Sequence, residues 1–227
     1  MNIIEFKDNN ESTEALSEEI ACKLQAAIQK HRIAKLLVSG GRSPIPLFEK
    51  LSKKNISWKN VVIGLVDERF VAVKNKSSNE KMISDTLLQN RAKEASFFGL
   101  IYDLNSKNSN LELARNLYTT FATGADVCLL GMGMDGHTAS LFPNDPNSQD
   151  NLAMPNQDLL LYTLADVTPY ERITCSKNLI NRSKNLYLMI SGEEKLNVLN
   201  NAHLEGLPIS HFFQTQGTNL IVHYNKI

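Results

Sequence analysis

Lys35-Leu36-Leu37-Val38-Ser39-Gly40-Gly41-Arg42-Ser43-Pro44 is the stretch from which the fold class follows. Residues 35–39 form a compact apolar run of strand length, the kind buried between two layers. Two glycines end it. Ser43 then reads as an N-cap, and Pro44 opens a helix over residues 44–53. Outward from this unit the same alternation recurs. Residues 61–66 are β-branched and end at Asp67-Glu68-Arg69. Residues 96–101 are a weaker run, 126–130 enter a glycine cluster, 185–190 end at Ser191-Gly192, and 220–224 come last. Amphipathic helices are predicted over 13–31, 78–88 and 111–121. This order predicts an α/β protein with a mostly parallel sheet covered on both faces, in one domain spanning residues 1–227. The polar stretch 144–151 reads as a loop.

Composition narrows the function classes. The 227 residues are 42% hydrophobic and 21% charged, close to the globular average. Lys and Arg number 24, as do Asp and Glu, so no basic excess points to a nucleic-acid partner. Cys22, Cys128 and Cys175 form no CxxC pair and read as buried, reduced thiols. Residues 1–10 lack the basic and apolar regions of a signal peptide, and no apolar run approaches the ~18 residues of a membrane span. The expectation is a cytoplasmic protein with no membrane partner.

The least ordinary local sequences follow the carboxyl ends of the predicted strands, the edge at which open α/β sheets bind ligands. In Ser39-Gly40-Gly41-Arg42-Ser43-Pro44, the glycines let backbone amides approach a ligand. Arg42 offers a planar donor suited to phosphate oxygens. An ordinary βα turn is the competing reading, and the spacing is not that of a Walker A loop. Gly131-Met132-Gly133-Met134-Asp135-Gly136-His137-Thr138 matches GxGxxG literally. Pro143 interrupts any long helix after it, which argues against a dinucleotide cofactor. The segment reads better as a turn that aims Asp135 and His137 at one pocket. A carboxylate beside an imidazole fixes its tautomer, and histidine, with an ordinary pKa of ~6.5, exchanges protons near neutrality.

Other positions are weaker singly. Arg69 can supply positive charge where an oxyanion develops, although Asp67-Glu68-Arg69 can also be a solvated turn. Arg172 and Lys195 can each reach a phosphate. His31, His203, His211 and His223 lack a comparable setting, and Trp58 and the methionines of the glycine turn read as packing. HxxE, HExxH and clustered Cys/His spacings are absent, so no metal or other cofactor is expected.

Taken in order, Ser39-Gly40-Gly41-Arg42-Ser43-Pro44, Asp67-Glu68-Arg69-Phe70-Val71, Ser77-Ser78-Asn79 and the run from Gly131 to Pro143 (GMGMDGHTASLFP) resemble the 6-phosphogluconolactonase family. Arg172-Ile173-Thr174, Gly192-Glu193-Glu194-Lys195 and Leu207-Pro208-Ile209-Ser210 follow in register. The wider group is similar to glucosamine-6-phosphate deaminase, which shares the GxDGH turn but continues differently after the histidine. The resemblance implies a three-layer α/β/α fold of the NagB/RpiA/CoA transferase-like kind. It implies hydrolysis of a small sugar-phosphate lactone, 6-phosphogluconolactone, in the pentose phosphate pathway. It further implies His137 as general base with Asp135 beside it, and Arg69 at the reacting end. Ser39, Gly40, Gly41, Arg42, Ser43, Arg172 and Lys195 would hold the phosphate. Many family members carry Ser-Thr where this chain has Arg42-Ser43. A sugar-phosphate deaminase or isomerase and a non-catalytic sugar-phosphate sensor are the alternatives.

Overall fold

A computed structural model describes residues 1–154, 157–215 and 218–226. Its strands are β1 (Asn2–Phe6), β2 (Ala34–Val38), β3 (Val61–Leu65), β4 (Asp67–Arg69), β5 (Ser96–Phe98), β6 (Val127–Leu130), β7 (Leu160–Leu164), β8 (Glu171–Cys175), β9 (Leu186–Ser191), β10 (Gln214–Thr215) and β11 (Thr218–Asn225). The helices are α1 (Asn9–His31), α2 (Ile45–Leu51), α3 (Asn79–Thr86), α4 (Lys107–Tyr118), α5 (Pro146–Ala153), α6 (Lys177–Asn181) and α7 (Glu193–Asn201).

The main sheet runs β1-β11-β9-β6-β2-β3-β5, with every neighbouring pair parallel and β10 added antiparallel to β11. Helices flank this sheet in three layers, α/β/α. The central strands are apolar throughout because both faces are covered. Leu36, Leu37 and Val38 of β2 are fully buried, each side chain contributing roughly 1.5–3 kcal/mol. At the end of α4, Tyr118 ties the helix to β3, its hydroxyl donating to the Leu65 carbonyl at 2.8 Å and accepting from the Leu65 N–H at 2.7 Å.

Helix starts follow local chemistry. Asp8 caps α1 through the Glu11 N–H, and Ser78 caps α3 through the Lys81 N–H. Helix α1 ends at Arg32, whose φ of 69° breaks the helical path.

Several expectations need correction. Ser43 does not cap α2; Pro44 occupies that position, with no side-chain cap. The stretch read as a loop at 144–151 contains most of α5, started by the Asp145 cap and by Pro146 in the first turn. Asp67-Glu68-Arg69 is not a solvated turn but the first strand of a second, antiparallel sheet, β4-β8-β7. Cys22 is exposed, unlike Cys128 and Cys175. Met134 is half exposed, whereas Met132 packs as expected. Among the described residues no helix is long and apolar enough to cross a membrane.

Candidate active site

Strands β2 and β6 lie side by side, yet the sheet grows from β2 toward β3 and from β6 toward β9. The loops leaving their carboxyl ends therefore diverge and open a crevice. The loop after β2 carries Ser39, Gly40, Gly41 and Ser43; the loop after β6 carries Gly131, Met132, Gly133 and His137. Both line one cavity of about 190 Å³. Asp67 and Arg69 from the small sheet complete one side, and Met189 and Lys195 another.

His137 is the centre of the turn. Its Nδ1 lies 2.6 Å from Asp135 Oδ1, and its backbone N–H donates to the same oxygen at 3.2 Å. With the Nδ1 proton directed at the carboxylate, Nε2 keeps its lone pair. The ring lies over Gly133, where an added Cβ would come within 2.2 Å of Nδ1, so any larger residue would displace the imidazole. Phe142 covers another side at a ring separation of 4.8 Å. Burial pushes the Asp135 carboxyl up, but the hydrogen bond and charge of His137 bring it below the ordinary range on balance. Asp135 does not line the cavity; it meets it through His137.

Arg69 is held from its own strand outward. Its guanidinium donates to the Ser77 carbonyl, and its N–H to Glu68 Oε1. Glu68 is buried and also accepts from Ser78 Oγ, Asn79 N and Glu80 N at 2.8–2.9 Å. Burial pushes this carboxyl up, partly countered by those four donors. Arg172 is the cross-strand partner of Arg69. It is buried, its Nη1 has no hydrogen-bond partner among the described residues, and desolvation together with the Arg69 charge pulls its pKa down.

Ser39 Oγ, also lining the cavity, is buried with no partner among the described residues. Lys195 Nζ donates to the Met132 carbonyl at 2.8 Å, and burial lowers its pKa. The cavity thus holds two cations, an unpartnered hydroxyl, a run of glycine backbone and one carboxylate-paired imidazole. That set can receive an anion and move a proton beside it.

The structure brings Ser39, Gly40, Gly41, Ser43, Arg69, His137 and Lys195 around one cavity. It does not bring Arg42 there. Arg42 borders a neighbouring cavity with Asn9, Ser191 and Asn225. Arg172 is also off the wall, beside Arg69. Two residues were not anticipated. Asp67 is buried on the cavity wall, where Ser140 Oγ donates to its Oδ2 at 2.6 Å. Asn79 lines the wall and donates to the Asp67 carbonyl. Both sit inside quoted motifs, at a strand end and a helix start. Among the described residues no three His, Cys, Asp or Glu side chains gather as a metal site.

Comparison with known proteins gives a consistent picture. The family model for glucosamine-6-phosphate isomerases/6-phosphogluconolactonase matches residues 7–221. The 6-phosphogluconolactonase of Helicobacter pylori is 36% identical over 230 residues, covering 99% of this chain and 98% of its own. That of Neisseria meningitidis is 35% identical, covering 97% of each. The crystal structure of a 6-phosphogluconolactonase from Shewanella baltica superposes with a TM-score of 0.93 at 34% identity, covering 99% of this chain and 97% of the other.

Proposed function

Because the chain belongs to the glucosamine-6-phosphate isomerase/6-phosphogluconolactonase family, we propose that it hydrolyses 6-phosphoglucono-1,5-lactone to 6-phosphogluconate, an oxidative pentose phosphate step, with His137 as general base. The observation that carries this reading is the Asp135–His137 pair at 2.6 Å, set at the rim of a cavity whose lining also includes Arg69, Lys195 and the Ser39 and Ser43 hydroxyls.

Neutral His137 takes a proton on Nε2 from a water whose oxygen attacks the lactone carbonyl carbon. Such base catalysis contributes roughly 10²–10⁴-fold. Arg69 stabilises the oxyanion of the tetrahedral intermediate; one well-placed donor is worth about 3–4 kcal/mol. The carbon–ring-oxygen bond then breaks, and the imidazolium returns its proton to the departing oxygen, which becomes a hydroxyl. Asp135 supports the imidazolium in between. Ser39, the glycine amides, Ser43 and Lys195 take the distant phosphate, and binding there orients the reacting bond. Arg172 adds positive potential from beside Arg69. Arg42, which borders the neighbouring cavity, has no part in this scheme.

The test is a coupled assay with freshly made lactone, corrected for spontaneous hydrolysis, run beside an assay for ammonia release from glucosamine-6-phosphate. Enzymatic lactone opening without ammonia is the expected result. Ammonia release without lactonase activity would replace this reading with a deaminase. Tight binding of 6-phosphogluconate with neither activity would replace it with a sensor.

A further inference from the structure

Leu207-Pro208-Ile209-Ser210 is a motif to which the reaction above gives no task. In the fold it lies against the back of the glycine turn. Gly136, the one residue between Asp135 and His137, has φ of 73°, a conformation that favours glycine. A Cβ built on it would lie 2.6 Å from Leu207 Cδ1 and 2.7 Å from Leu207 Cβ, so Leu207 presses on the bare α-carbon. On the same residue, the Gly136 carbonyl accepts from the Ile209 N–H at 3.1 Å.

The segment behind these contacts is itself anchored. Pro208, Ile209 and Phe212 are buried in a short 3₁₀ helix, and the Leu207 N–H bonds the Ala202 carbonyl at the end of α7. The turn has short bonds of its own, Gly136 N–H to the Gly133 carbonyl at 3.1 Å and Gly133 N–H to the His137 carbonyl at 2.9 Å; Lys195 Nζ holds its start at the Met132 carbonyl, and Leu207 and Ile209 meet it at Gly136, between the carboxylate and the imidazole. Glycine-rich backbone has the most conformational freedom to lose, so a turn of this kind needs an outside stop to stay in one state.

We propose that Leu207 and Ile209 are positioning residues for the Asp135–His137 pair, holding the Gly136 peptide so that the imidazole keeps its carboxylate partner and its direction into the cavity. The proposal rests on the reading of His137 as the base, but its physical content, the fixing of the pair, is measurable without turnover. Leu207 does not line the cavity, so its loss acts on the chemical step and not on binding.

The experiment uses the full chain carrying Leu207→Ala, with Leu207→Met as the conservative variant. Two quantities are read: kcat and KM for the lactone, and the low-field proton resonance of the imidazole N–H bonded to Asp135, assigned by its absence in His137→Gln. A misplacement near 1 Å lowers rates by up to ~10²-fold, so kcat of Leu207→Ala should fall by about tenfold or more while KM stays within about twofold. The resonance should broaden or vanish, and Leu207→Met should restore both readouts. Wild-type kcat with an intact resonance overturns the proposal. So does a loss of kcat with the resonance intact, or a rise in KM alone. If Leu207→Ala does not fold, Leu207→Val is read in the same way, and wild-type behaviour there also overturns it. Full turnover by His137→Ala would instead sink the base assignment, leaving the resonance to judge the brace.

Discussion

The small sheet and the glycine turn border the same cavity, and they are held in opposite ways. In the small sheet Glu68 and Arg69 are bonded within the protein before any ligand arrives: Glu68 is buried and accepts from four donors, and Arg69 donates to the Ser77 carbonyl. In the turn, one imidazole is held by one carboxylate, with about a third of its side chain open to solvent. A fixed positive charge serves an oxyanion best when it does not reorganise. A group that takes and returns a proton must meet water. The two constructions match the two tasks.

That contrast breaks first, and most visibly, at His137. Replacing it with Ala should lower kcat by roughly 10²–10⁴-fold, with KM and urea stability near wild type, since a partly exposed ring supports little of the core. Equal losses of activity and stability would mean the turn is as structural as the small sheet. Glu68→Ala is the converse. It leaves three backbone N–H groups and a hydroxyl without their acceptor in a buried site, which should cost about 3 kcal/mol by urea unfolding. Unchanged stability would show that Glu68 is not the anchor its bonds imply.

The same contrast governs how much could be read in advance. Six strands of the main sheet follow from apolar runs of strand length, because burial on both faces writes itself into consecutive residues such as Leu36, Leu37 and Val38. The small sheet does not follow. Asp67 and Glu68 carry the charges of a surface turn, and what buries them comes from Asn79, Ser78, Ser140 and β8, distant in the chain. Strand β1 was missed because it lies at an edge, with Asn2, Ile3 and Glu5 exposed and no run of consecutive buried residues. At the site, Asp135 and His137 were legible because two residues on a tight glycine turn must stay near each other. Arg42 was not, since adjacency to a glycine loop does not fix which side a side chain leaves it. The neighbour of Arg172 is not legible in the sequence either, because its cross-strand pairing with Arg69 joins residues about a hundred positions apart.

Lys195 sharpens the comparison with the smallest effect, because it belongs to both regimes. Its ammonium is half-buried and already bonded to the Met132 carbonyl of the turn, yet it borders the cavity and has further N–H donors for a ligand. Lys195→Met keeps most of the stem and removes the charge. If the ammonium serves mainly the phosphate, KM should rise about tenfold and kcat should hold, the size expected for one charge-assisted contact. If it serves mainly the Met132 carbonyl, kcat should fall with KM unchanged, and added inorganic phosphate should inhibit the variant as well as it inhibits the wild type. Steady-state kinetics with phosphate as competitor separates the two, and the second outcome would move Lys195 from the binding set to the outside supports of the turn.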